Sequence, residues 1–167
     1  YSYAEDWTHE HSYIDAGDFN GDGRTDIVLA PSEKEGQTYR VSWFEAPDDP
    51  LADSWQEHVV EDGIETVLHF VGAGDFNRDG FPDIAVAEMQ QGQDPDEISV
   101  FINADGQGLA WSKEVLDTIG SHSMRVLDVD GDGDADLYGA NWVDNDVYLW
   151  INQTTVALDQ WQRHVVA

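Results

Sequence analysis

One nine-residue acidic segment occurs three times in this chain, and no other feature narrows the fold as much. The copies are Asp18-Phe-Asn-Gly-Asp-Gly-Arg-Thr-Asp26, Asp75-Phe-Asn-Arg-Asp-Gly-Phe-Pro-Asp83 and Asp128-Val-Asp-Gly-Asp-Gly-Asp-Ala-Asp136. They align without gaps, and the first Asp recurs after 57 and then 53 residues. An internal period of that length is the mark of an architecture built from stacked or radial units.

The similarity extends beyond the loop. Each copy follows a short apolar or aromatic run (Tyr13-Ile14, Leu68 to Val71, Met124 to Leu127) and leads into another (Ile27 to Ala30, Ile84 to Ala87, Leu137 to Ala140). Next come the β-rich stretches Tyr39 to Phe44, Ile98 to Ile102 and Val147 to Ile151, and then Trp55 to Val60, Trp111 to Leu116 and Trp161 to Val166. Gly, Pro, Asp and Asn separate these runs, and no amphipathic helix is legible. Each repeat reads as four short strands: one before the loop, one after it, a Val-x-Trp-like strand and a Trp-x-x-His-like strand. The expected class is all-β, with three four-stranded antiparallel β-propeller blades. The repeats are expected at about 1–50, 51–106 and 107–160, with a closing strand at 161–167 that completes the first blade. Propellers close with four to eight blades. Three therefore imply part of a six- or seven-bladed ring in a larger chain, or two copies paired as a homodimer.

The loops place side-chain oxygens at positions 1, 3, 5 and 9: Asp18, Asn20, Asp22, Asp26; Asp75, Asn77, Asp79, Asp83; and Asp128, Asp130, Asp132, Asp136. Position 6 is Gly, where a sharp turn wraps the chain around an ion. Position 7 (Arg24, Phe81, Asp134) offers its backbone carbonyl. A hard cation with 6–8 oxygen ligands suits such a loop, which favours calcium, about three ions in all, over magnesium. An EF-hand is disfavoured, because position 12 holds Leu29, Val86 and Gly139 in place of a bidentate Glu, and because flanking helices are absent.

The pattern Asp-x-(Asp/Asn)-x-Asp-Gly-x-x-Asp-(Ile/Leu), on units with Val-x-Trp and Trp-x-x-His strands, resembles the FG-GAP/VCBS repeat family over nearly the whole chain. The resemblance implies calcium-bearing propeller blades like those of integrin heads, of bacterial surface and secreted proteins, and of some polysaccharide-active enzymes. It implies an extracellular or cell-surface setting. It implies no reaction, because function lives in sites added to folds.

Charge narrows the partners. Acids outnumber bases 35 to 7, a formal charge of −28 over 167 residues. Nucleic acid needs Lys and Arg, so it is excluded as a partner, and so is docking on anionic lipid. No apolar run is long enough to span a membrane. With no Cys there is no disulfide, thiolate catalysis or Cys-ligated zinc.

Seven Trp raise the prospect of sugar stacking. Trp43, Phe101 and Trp150 are read as one repeat position, and Trp55, Trp111 and Trp161 as another, both inter-blade core. Trp142 stands opposite Ser32 and Met89 in the other copies, so no packing rule requires it, and it is a candidate ligand platform. His58 and His164 are equivalents, matched by Glu114, with structural hydrogen bonds expected. His69 and His122 each lie six residues before a loop's first Asp, on strands expected to line the axial channel. With His11 and Arg125 they are expected to converge near one mouth. Three functions follow: a non-catalytic module recognising a glycan or polysaccharide, a segment of a propeller-type polysaccharide lyase, or a protein-binding adhesion scaffold. The first is preferred, because no acid/base, zinc or serine-nucleophile motif is present.

Overall fold

The computed structural model describes residues 11–141, 144–153 and 161–166, and the side chains from residue 13 onward within them. These residues form three four-stranded antiparallel sheets and no helix, so none crosses a membrane as a helix. Blade 1 contains β1 (His11–Gly17), β2 (Asp26–Ser32), β3 (Thr38–Glu45) and β4 (Gln56–Glu65). Blade 2 contains β5 (Leu68–Gly74), β6 (Asp83–Glu88), β7 (Ile98–Asn103) and β8 (Trp111–Asp117). Blade 3 contains β9 (Ser123–Leu127), β10 (Asp136–Ala140), β11 (Val147–Asn152) and β12 (Trp161–Val165). Within each sheet the strands lie side by side in chain order, as propeller-like blades do. The three acidic loops are the connections between the first and second strands.

This topology corrects the reading of the last strand. β12 pairs with β11, Leu149 opposite His164 and Asn152 opposite Trp161, so Trp161–Val165 is the outer strand of blade 3 and does not complete blade 1. Likewise β4 closes blade 1 and β8 closes blade 2. The sheets therefore run over 11–65, 68–117 and 123–165, so limits near 50 and 106 fall between the third and fourth strands of a blade. The physical reason is locality: a strand pairs most readily with its sequence neighbour through a short connection.

Register sets the packing. The residue after the ninth loop position faces a large aromatic on the third strand: Ile27 opposite Phe44, Ile84 opposite Phe101, Leu137 opposite Trp150. The aromatic equivalent to Phe101 and Trp150 is thus Phe44 and not Trp43. Trp43 corresponds to Val100 and Leu149, and side chains one residue apart on a strand point to opposite faces. Val28, Ala30, Val41 and Trp43 of blade 1 pack on Leu68, Val71, Ile84, Val86 and Phe101 of blade 2. Ala85, Ala87, Ile98 and Val100 on the other face of blade 2 pack on Met124, Leu137, Tyr148 and Trp150 of blade 3. Blade 2 is covered on both sides, and β6 and β7 are buried along their whole length. That is why their sequences run almost continuously apolar instead of alternating. On the corresponding outer face of blade 3, Tyr138, Val147 and Leu149 are only half-buried and Leu127 is exposed.

Two devices repeat at the interfaces between blades. The side-chain amide of Asn103, at the end of β7, donates to the backbone carbonyl of Phe19 at 2.8 Å, and Asn152, at the end of β11, donates to that of Phe76 at 2.8 Å. The Trp opening β8 and the Trp opening β12 then pack on the same aromatics: Trp111 on Phe19 at 6.2 Å and Trp161 on Phe76 at 6.0 Å between ring centres. The indole N–H of Trp43 donates to the Gly108 carbonyl. Gly108 sits at φ 68°, and a Cβ there would lie 2.7 Å from the Trp43 ring, so only glycine permits this approach.

Removing one repeated device should show its strength. Asn152→Ala leaves the Phe76 carbonyl buried without this donor and should cost about 1–3 kcal/mol. Trp150→Ala removes a fully buried aromatic and should cost about 3–5 kcal/mol. Chemical denaturation read by tryptophan fluorescence checks both, and near-neutral effects would contradict the inter-blade assignment.

Candidate metal centres and the inner cleft

The loops owe their shape to their own hydrogen bonds. Both carboxylate oxygens at position 1 accept backbone N–H groups from further along the loop: Asp18 from Asp22 and Gly23, Asp75 from Asp79 and Gly80, Asp128 from Gly131 and Gly133. The oxygen at position 3 (Asn20, Asn77, Asp130) accepts the N–H of position 5. The carboxylate at position 5 (Asp22, Asp79, Asp132) accepts the N–H of position 7. Gly23, Gly80 and Gly133 at position 6 have φ of 87°, 92° and 94°. Nothing lies within 4 Å of a Cβ built there, so the left-handed backbone, and not crowding, selects glycine.

Position 9 differs, because its carboxylate is fully buried. Asp26 accepts the N–H groups of Phe19 and Ala46, Asp83 those of Phe76 and Asn103, and Asp136 those of Val129 and Asn152, all at 2.7–3.0 Å. One partner lies at the start of the loop and the other at or just past the end of the third strand. Each oxygen keeps a lone pair directed elsewhere.

The donor set fits a hard divalent cation. In the third loop, oxygens of Asp128, Asp130 and Asp136 lie within 4.8 Å of one another, and so do those of Asp130, Asp132 and Asp134. Like charges this close repel strongly unless a cation lies among them. In the first two loops position 3 is an amide, which supplies an oxygen without a charge. The Arg24 side chain donates to the Ala46 carbonyl at 2.6 Å and pairs with Asp22 Oδ2 of its own loop at 2.5 Å.

Without a metal, the buried carboxyls Asp26, Asp83, Asp134 and Asp136 titrate high. Burial foremost pushes Asp83 up to about 7, with Asp79 and Asp75 adding repulsion against the two backbone N–H bonds that favour the anion. Burial also raises Asp26 and Asp136. Asp134 is pushed up to about 7 by burial and then by Asp132.

The axial residues separate into two groups. The inner strands β1, β5 and β9 lie next to one another, and between them opens a cleft of about 440 Å³ lined by Tyr13, Asp15, Phe70, Ala73, Arg125 and Val126 among others. Asp15 holds its edge by accepting the Ala73 N–H across the interface at 2.9 Å. His69 is 4% exposed, with its ring 4.8 Å from that of His122 and 6.0 Å from that of Tyr13. Its Nε2 lies 4.0 Å from Glu33 Oε1, and neither ring nitrogen has a hydrogen-bond partner. Burial, then His122, lowers its pKa against the pull of Glu33, so the ring is neutral near pH 7. His122 borders a separate hollow of about 180 Å³ with Met89, Gln90 and Gln91. The structure thus joins His69 to His122 and sets Arg125 beside Tyr13, but does not gather all three on one surface. The His11 side chain and Trp142 lie outside the described residues. His58 does stack on Trp43, at 4.3 Å, and meets Glu45 at 3.0 Å, a structural role as expected.

Four-stranded blades joined by oxygen-rich first hairpins define a propeller-type repeat protein. A family model for FG-GAP-like repeats matches residues 18–86 and again residues 75–139. The chain belongs to the FG-GAP-like repeat family. No curated protein matches it.

A pH test follows for the metal-free protein. A carboxyl whose folded pKa is raised stabilises the fold below its unfolded value, near 3.8, and that contribution disappears as pH rises through the folded value, about 7 for Asp83. In chelator, the denaturation midpoint should fall as pH is raised from about 4 to 8. A flat or rising midpoint would contradict it.

Proposed function

We propose that this chain is a calcium-stabilised binding module of an extracellular or cell-surface protein, and that it recognises a neutral polysaccharide at the inner cleft. The observation carrying this reading is the cleft itself. Its volume lies within the ~300–1,000 Å³ range of small-molecule sites. It sets the ring of Tyr13 beside Arg125 and Asp15, an apolar face with a donor and an acceptor, which is what a sugar ring requires. One positive and one negative group leave the cleft without a net charge to attract a uronate, and the rest of the molecule is strongly acidic.

The lyase reading needs a base on the same surface as the substrate. His69 is buried and His122 borders another hollow, so the geometry favours binding over elimination. An adhesion scaffold has no comparable cleft-based support.

Calcium is supported by the all-oxygen loops and by the family. A ligand that binds only the folded state adds roughly 2.7 kcal/mol per site at 100-fold its Kd. Chelation should therefore lower Tm markedly and calcium restore it. With calcium bound the ligand carboxylates are held below their ordinary range, so stability should be lost as pH falls, the reverse of the metal-free slope. The same midpoint series in calcium reads this, and matching slopes in chelator and calcium would contradict it.

Affinity electrophoresis through neutral and uronate-rich polysaccharides tests the ligand. Retardation by a neutral polymer, lost in Arg125→Ala while Tm is unchanged, is the expected result. Retardation by uronate polymers alone, or by none, overturns the glycan assignment.

A further inference from the structure

The three loops depart from their shared pattern at two positions that meet across a blade interface. Position 4 is Gly21, Arg78 and Gly131, and position 7 is Arg24, Phe81 and Asp134. Neighbouring blades set position 4 of one loop against position 7 of the next. The Phe81 ring lies over Gly21, 3.2 Å from where a Cβ would stand. One interface further on, Arg78 meets Asp134. The loop lacking glycine at position 4 thus faces the loop with an acid at position 7.

The contact is specific. Arg78 Nη2 donates to the Asp132 backbone carbonyl at 2.9 Å and to Asp132 Oδ1 at 3.3 Å. It also lies 3.3 Å from Asp134 Oδ2. The Asp134 side chain is 1% exposed, and neither of its oxygens makes a hydrogen bond, so Arg78 is its charge partner among the described residues. The first two loops carry three carboxylates and one amide each, whereas the third carries five carboxylates.

We propose that Arg78 is a positioning residue for the cation site of the third loop: a tethered counter-charge that offsets the extra carboxylate of Asp134 within that cluster and thereby weakens the loop's hold on calcium. The inference rests on the calcium reading above. The guanidinium neutralises part of the charge of Asp132 and Asp134, the two cluster carboxylates it contacts. Without Arg78, five carboxylates are available to a single cation, and a repelling positive charge is gone. Removing one like charge from the neighbourhood of a divalent ion in a water-like dielectric corresponds to roughly a tenfold change in affinity.

Calorimetric titration of calcium into the full chain tests this. Asp132→Asn identifies which class of sites belongs to the third loop. That class should bind about tenfold more tightly in Arg78→Gln, with the other classes unchanged. Arg78→Lys should restore wild-type affinity, and in an Asp134→Asn background the effect of Arg78→Gln should shrink. A merely structural arginine would give weaker binding on removal, not tighter. Should Arg78→Gln require calcium to fold, chelator competition from the loaded protein reads the same constant. Unchanged or weakened binding in Arg78→Gln overturns this inference alone, whereas no calcium uptake by the wild type overturns the calcium reading and this with it.

Discussion

The ninth residue of each acidic loop is a fully buried aspartate, and most of the architecture depends on where its two oxygens point. Asp83 holds the second residue of its own loop through the Phe76 N–H and the end of β7 through the Asn103 N–H. Asn103 in turn reaches back to the loop of the preceding blade. Loop shape, the end of the third strand and the interface between blades therefore share one anchor. Asp136 and Asn152 repeat the arrangement one blade later. Burying a carboxylate is costly unless it is fully hydrogen-bonded or neutralised. Two backbone donors supply part of that compensation, and an ion among the neighbouring oxygens would supply the rest. Fold and cation site are thus two aspects of one local arrangement.

The wider electrostatics agree. At a formal charge of −28 the compact chain repels itself, and few bases are available to offset this. Arg24, Arg40, Arg78, Lys113 and Arg163 all contact acids of their own or a neighbouring blade. Arg125 instead borders the inner cleft, where its charge is available to a ligand. That separation sets the proposed binding surface, on the inner strands, apart from the loops that stabilise the blades.

Much of this was legible in the sequence, because three copies of one spacing fix both the candidate ligand positions and the four-strand unit. The phase of the repeat was not legible. A periodic pattern reads the same whether the Trp-x-x-His strand opens one unit or closes another, and only the β11–β12 pairing shows that it closes. The adjacent aromatics Trp43 and Phe44 could not be told apart by type, since the face each takes depends on register against Ile27 and Val28. The clamps Asn103 and Asn152 do not stand out in the sequence, because Asn is an ordinary turn residue. Their recurrence 20 and 16 residues after Asp83 and Asp136 was the available signal. The pairing of Arg78 with Asp134 was signalled by two departures from the repeat, but their meeting depends on how neighbouring loops stack. The burial of His69 depends on packing between inner strands, which no local pattern encodes.

Amide hydrogen exchange measured residue by residue reaches the central anchor most directly. The six amides that donate to the ninth-position carboxylates belong to Phe19, Ala46, Phe76, Asn103, Val129 and Asn152. All but Asn103 and Asn152 lie outside the regular strands and would exchange quickly if the loops were merely turns. The account predicts protection for all six close to that of the buried strands β6 and β7. Exchange at the rate of exposed turns such as Asp48 to Ser54 would contradict it.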